Sequence, residues 1–140
     1  MLVKEDKTYK PLLNLEISPA FSVFKNTQII NDTVLIGWNN FFATFNLNTR
    51  KQTILSLDGY FGNFSVLEDM IFVCSASDIT GLSIEGEIKW KSDPIAIDGI
   101  IINSIENNTI YCSCEWDPPG GWQPYQLDLQ TGVTRKNSSY

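Results

Sequence analysis

A chain of 140 residues with 43% hydrophobic and 12% aromatic content is long enough for one domain with a core, and too apolar to be disordered. Sixteen acidic residues against ten basic ones leave a net charge of −6, which argues against nucleic acid and anionic membranes as partners, because both attract clustered lysine and arginine. There is no histidine, so the commonest general base, the commonest zinc ligand and every Ser-His or Cys-His nucleophile arrangement are excluded at once.

The first segment, MLVKEDKTYK, mixes charges of both signs without an apolar core, so it is not read as a signal peptide. Nowhere do about 18 uncharged apolar residues run together, and a soluble, cytosolic protein is expected. A strand is expected over residues 8–16, within KTYKPLLNLEI, where it would cover one open edge of the fold.

Three runs then dominate the chain: NDTVLIGW, EDMIFVCS and NNTIYCSC, each rich in Val, Ile, Phe or Tyr and each entered through a polar pair. No helical stripe of useful length competes with them, so the expected class is all-β. Laid over one another, the runs align Val34, Ile71 and Ile110, which are 37 and 39 residues apart. A period near 40 is that of a four-stranded repeat unit.

The match continues on both sides. Leu47 follows Val34 by thirteen residues and Ile84 follows Ile71 by thirteen, each at the end of a short strand that leads into a polar turn. Leu129 takes the same place nineteen residues after Ile110, so the third copy holds six extra residues. Upstream, Asp58-Gly59 and Asp98-Gly99 open units two and three, before the inner strands FGNFSVL and IIINSI. The whole divides into antiparallel four-stranded units over about 17–57, 58–97 and 98–136, within a single domain.

In this pattern the chain resembles a β-propeller repeat protein, and LDLQTG resembles the L-D-x-x-T-G turn of pyrroloquinoline-quinone-type and related propeller blades. The resemblance covers about residues 17–136. It implies blade-like units, and because closed propellers have about four to eight blades, three units imply a partial propeller or a sandwich derived from the same hairpins.

The six extra residues fall in CEWDPPGGWQPY, between strands joined tightly in the first two units. Insertions in repeat proteins map to one face, often the binding face, and Trp116, Trp122 and Tyr125 are of the types that dominate interface energetics. With Glu115 and Asp117 they form the candidate partner-binding set; the competing reading is a wide turn built by Pro118, Pro119, Gly120 and Gly121. Glu115 and Asp117 lie two apart on one strand and do not flank a substrate as a glycosidase pair must. Asp58 and Asp98 are read as turn residues, Asp bonding backbone and Gly supplying positive φ.

Cys74, Cys112 and Cys114 make an odd count and are expected to be free thiols. Cys112-x-Cys114 with Glu115 and Asp117 falls short of a four-ligand zinc site, so no metal or cofactor is expected. Sequons at Asn31, Asn63, Asn107 and Asn137 are read only as abundance of asparagine.

Two functions of different class fit. The first is a non-enzymatic protein-binding module that resembles, by type, the bacterial immunity proteins that occlude basic nuclease-type toxins; the partner would be a basic toxin domain. The alternative is a carbohydrate or small-ligand binding domain, with Trp116 and Trp122 as stacking faces and Glu115 and Asp117 as hydroxyl acceptors.

Overall fold

The computed structural model describes residues 2–5, 10–14, 24–116 and 120–135. Among these residues the secondary structure is entirely β, in three four-stranded antiparallel sheets and one two-stranded hairpin. The hairpin pairs β1 (Leu2–Glu5) with β2 (Lys10–Asn14). The strand expected over 8–16 is therefore present over Lys10–Asn14, but its ladder is made with Leu2–Glu5 and not with an edge of a four-stranded sheet. Its remaining positions lie outside the described residues.

Blade I comprises β3 (Lys25–Ile30), β4 (Thr33–Trp38), β5 (Phe41–Asn46) and β6 (Gln52–Ser56). Blade II comprises β7 (Phe61–Leu67), β8 (Met70–Ser75), β9 (Ile79–Ser83) and β10 (Ile88–Lys91). Blade III comprises β11 (Ile100–Glu106), β12 (Thr109–Trp116), β13 (Gly121–Asp128) and β14 (Thr134–Arg135). In every sheet the strands follow chain order, a simple meander.

The polar pairs that precede β4 and β12 are two-residue hairpin turns. Asn31 and Asp32 (φ 46° and 65°) and Asn107 and Asn108 (φ 52° and 58°) all hold left-handed backbone, as a type I′ turn requires, and Asn and Asp are the side chains that tolerate it best. These turns define one end of each blade, called here the turn end. The turn between third and fourth strands lies against them: Leu47, Ile84 and Leu129 donate their N–H to the carbonyls of Asp32, Asp69 and Asn108 at 2.8, 2.8 and 3.0 Å. The three residues aligned by sequence period thus make the same hydrogen bond in all three blades. In LDLQTG, Asp128 Oδ1 accepts from the N–H groups of Gln130 and Thr131, and Asn46 Oδ1 does the same for Asn48 and Thr49. These short side chains close the turn by satisfying backbone donors that no strand can reach.

Alternation along the strands sorts side chains to two faces, and packing between blades follows from it. Leu35 and Phe42 of blade I meet Phe61, Phe64, Ile71, Val73 and Leu82 in one core. Phe72, Cys74, Ile79 and Trp90 of blade II meet Ile100, Ile110, Cys112, Cys114 and Leu127 of blade III in a second. Blade II is the middle layer, and β8 and β9 are buried along nearly their whole length. The first strands lie side by side along the axis, where Asn26 Nδ2 donates to Asn63 Oδ1 at 3.1 Å. On the faces turned away from blade II, Ile29 and Ile54 of blade I and Ile101 and Trp122 of blade III remain exposed.

Candidate functional site at the entry end

The opposite end of each blade, where the first strand begins and the second passes to the third, is the entry end. In blade I the second and third strands are joined through Asn39 and Asn40 alone. In blade III the ladder runs further, to Glu115↔Trp122 and Trp116↔Gly121. Four of the six extra residues lengthen the strands of that hairpin, two in each, relative to blade I. Most of the insertion is therefore strand, and it carries blade III beyond the other two.

Strand alternation divides the sequence-chosen residues. Glu115 and Trp122 face each other as a cross-strand pair on the side away from blade II. Tyr125 falls on the other side, paired with Cys112 and packed against the core shared by blades II and III. Trp116 alternates to the side opposite Glu115, and its buried Nε1 has no acceptor among the described residues. Asp117 lies outside the described residues.

Glu115 and Trp122 are joined by residues that sequence reasoning did not select. Register places Phe24, Tyr60 and Gly99 at one equivalent position, the residue before each first strand. Phe24 stacks on Tyr60 with ring centroids 5.6 Å apart and planes inclined by 21°. Tyr60 reaches across to blade III, where its hydroxyl donates to the Asp98 carbonyl at 2.5 Å and lies 3.1 Å from Asp98 Oδ1. In blade III the equivalent residue is glycine, and a β-carbon there would find Trp122 Cη2 at 3.5 Å, Glu115 Oε2 at 3.7 Å and the Tyr60 hydroxyl at 3.7 Å. The missing side chain of Gly99, whose φ is 150°, leaves the floor on which these three groups converge. One aromatic from each blade thus meets at the entry end, with Asp98 and Glu115 beside them.

The electrostatics are those of an anionic surface. Burial, and then the hydrogen bond and charge of Asp98 and the charge of Glu115, push the Tyr60 hydroxyl up to about 12. Lys91 is bonded to Asp58 and lies 3.7 Å from the buried Asp78, so its charge is committed within blade II. Burial raises the Asp78 carboxyl, opposed by its bond to Ser75 and by Lys91. Among the described residues no lysine or arginine is ion-paired with Asp98 or Glu115. Phe24 and Trp122 are 47% and 48% exposed, which leaves apolar area available between the carboxylates.

Asp58-Gly59 and Asp98-Gly99 lie at chain bends, with both glycines at positive φ, and the two carboxylates bond Lys91 and Tyr60 instead of the backbone donors that turn chemistry would give them. The three cysteines are free and buried. Cys112 and Cys114 sit with sulfurs 3.9 Å apart, and burial pushes the Cys74 thiol far above its usual range. No cluster of three His, Cys, Asp or Glu side chains suited to a metal ion occurs among the described residues, and no helix there is long and apolar enough to cross a membrane.

No protein-family model matches the chain, and no curated protein matches it in sequence. Solved structures do match. BamB from Moraxella catarrhalis, a β-propeller, superposes with a TM-score of 0.51 at 15% identity, over 75% of this chain and 33% of its own. The chain has a propeller-like fold. The computationally designed Ika8 protein superposes with a TM-score of 0.54 at 12% identity, over 98% of this chain and 55% of that one. The AfRom2 CNH domain gives 0.47 at 18% identity, over 74% and 33%. At these identities the likeness is one of fold, and the chain spans between a third and about half of the length of the structures it matches.

Proposed function

We propose that the chain is a non-enzymatic protein-binding module whose entry end docks a basic partner, and that it acts as an inhibitor of the immunity type, neutralising a nuclease-type toxin by covering its active site. The observation that supports this reading is the convergence of Phe24, Tyr60 and Trp122, one from each blade, beside Asp98 and Glu115, which no described cation neutralises. Exposed aromatics framed by carboxylates provide anchors for an interface and a field that steers a cationic partner. On this reading Glu115 and Asp98 stand where the phosphates of the toxin's substrate would lie, and Trp122 fills a pocket beside them.

The test is an affinity capture from the source lysate with wild type beside Trp122→Ala and Glu115→Gln, followed by association kinetics on the captured protein. A basic protein held by wild type, released by both variants at unchanged thermal midpoint, and associating more slowly as salt rises is the expected result. Its nuclease activity should fall in proportion to the wild-type protein added. Equal capture by all three proteins, or salt-independent binding to a glycan array that depends on Trp122, would overturn the reading, the latter in favour of carbohydrate.

A further inference from the structure

The connection from β8 to β9 touches both inter-blade segments that build the entry-end site. It comprises Ala76, Ser77 and Asp78, one residue more than the Asn39 and Asn40 of blade I. Ala76 bridges the site directly: its N–H donates to the Tyr60 carbonyl at 3.0 Å, and its own carbonyl accepts from the Gly99 N–H at 2.9 Å. Tyr60 supplies the aromatic of blade II and Gly99 the floor, so the backbone of a single residue sets the spacing between them. Ser77 extends the hold. Its carbonyl accepts from the N–H groups of Ile95 and Ala96 at 2.8 and 3.2 Å, and its hydroxyl donates to the Asp58 carbonyl at 3.1 Å.

A buried hydroxyl and a buried carboxylate keep this connection in shape. Ser75 Oγ accepts from the N–H groups of Ser77 and Asp78 at 3.2 and 3.1 Å, which occupies both of its lone pairs. Its one proton is left to donate, and Asp78 Oδ1 receives it at 3.0 Å. The other acceptor in reach, the Asp78 carbonyl, is farther away at 3.3 Å and already accepts from the Ser75 N–H at 2.9 Å. The carboxylate therefore orients the hydroxyl that holds the turn. It does so from an unfavourable place, because its side chain is 3% exposed and its cation, Lys91, stands 3.7 Å away and is also bonded to Asp58. Burial opposes the charge and is the leading cause that raises the Asp78 carboxyl above its ordinary range. An uncharged side chain would be buried at smaller cost.

We propose that Asp78 is a positioning residue for the entry-end site: through Ser75 and the Ala76 backbone it holds Tyr60 and Gly99 at the separation that lets the Tyr60 hydroxyl reach Asp98 beside Trp122 and Glu115. Its meaning for docking rests on the function proposed above. The geometry that it controls is read without any partner.

The test is NMR of the full chain with its tyrosines carbon-labelled at Cζ and Tyr60 assigned from Tyr60→Phe, comparing wild type with Asp78→Ala, Ser75→Ala and Asp78→Asn. At about pH 11 the wild-type Tyr60 hydroxyl should keep its proton in about nine-tenths of the molecules, since burial and Asp98 push its ionisation up to about 12. Asp78→Ala and Ser75→Ala break the chain of bonds at different links. In each, at least about half of the molecules should have lost that proton at the same pH. Asp78→Asn, whose amide oxygen still accepts the Ser75 proton, should behave as wild type. Methyl signals of Ile71 and Leu82, in the core shared by blades I and II, report that each variant is folded. A residue that served only the stability of blade II would lower the thermal midpoint and leave Tyr60 protonated. That outcome in the alanine variants would overturn the proposal, as would loss of the proton in Asp78→Asn; if Asp78→Ala does not fold, Ser75→Ala decides. Wild-type Tyr60 ionising near 10.0 would remove the site itself, and this proposal with it.

Discussion

A methyl group at Gly132 would lie 2.2 Å from Cε3 of Trp90, and the backbone there is left-handed, with φ 71°. Gly81 meets the same ring, 2.6 Å from Cε2, so the indole occupies space that two absent side chains release. Gly132→Ala should cost about 2–4 kcal/mol, combining overpacking with a strained φ, and a urea titration would measure it. Tyr60 offers a second test at this scale. Its ionisation is raised from 10.0 to about 12 in the folded protein, so the folded state favours the protonated form. Its contribution to stability is fully present below about pH 10 and is lost as pH rises through about 12. Thermal midpoints across that window should fall more steeply for wild type than for Tyr60→Phe; parallel curves would count against the Asp98 contact. Residue by residue, the entry-end cluster was hard to read from sequence. Phe24 and Tyr60 are 36 positions apart, and only the registers of the inner strands show that both precede a first strand, in the place where blade III has Gly99.

At the scale of elements, the strands repeat in all three blades, and blades I and III repeat one another down to the side-chain bonds of their turns. Asn46→Ala removes the acceptor of two backbone N–H groups and should lower stability by about 1–2 kcal/mol, read from a chemical-denaturation midpoint. Strands were legible because a two-residue turn and an alternating apolar run specify a hairpin locally: EDMIFVCS became β8 and FGNFSVL became β7. The 114–129 stretch was harder to judge, because its turn-forming residues suggested a loop while the ladder continues to Trp116↔Gly121. Period-two alternation carried the correction all along. Trp122 and Tyr125 are three apart, so one strand cannot show both on the same face.

For the whole molecule, a middle blade covered on both sides predicts a graded stability. Amide exchange should be slowest in β8 and β9, between the two cores, and faster in the outer strands β6 and β14; uniform exchange would deny blade II its central place. The all-β class and the three four-stranded sheets follow from a period of 37 to 39 residues, which repeats one antiparallel meander in each of the three blades. What one end of the molecule would bind was not legible, since a surface made by one residue from each of three repeats has no local signature in the chain.

The backbone bonds from Leu47, Ile84 and Leu129 join the two turns of each blade at the turn end, and they hold alike in blade II, whose third-to-fourth-strand connection is one residue shorter than those of its neighbours. At the entry end the second-to-third-strand connection varies, and blade III has grown there without disturbing its ladder. The scaffold is therefore directional in what it permits. Growth and diversification can proceed at one end, blade by blade, while at the other the turn between first and second strands keeps two residues in all three blades.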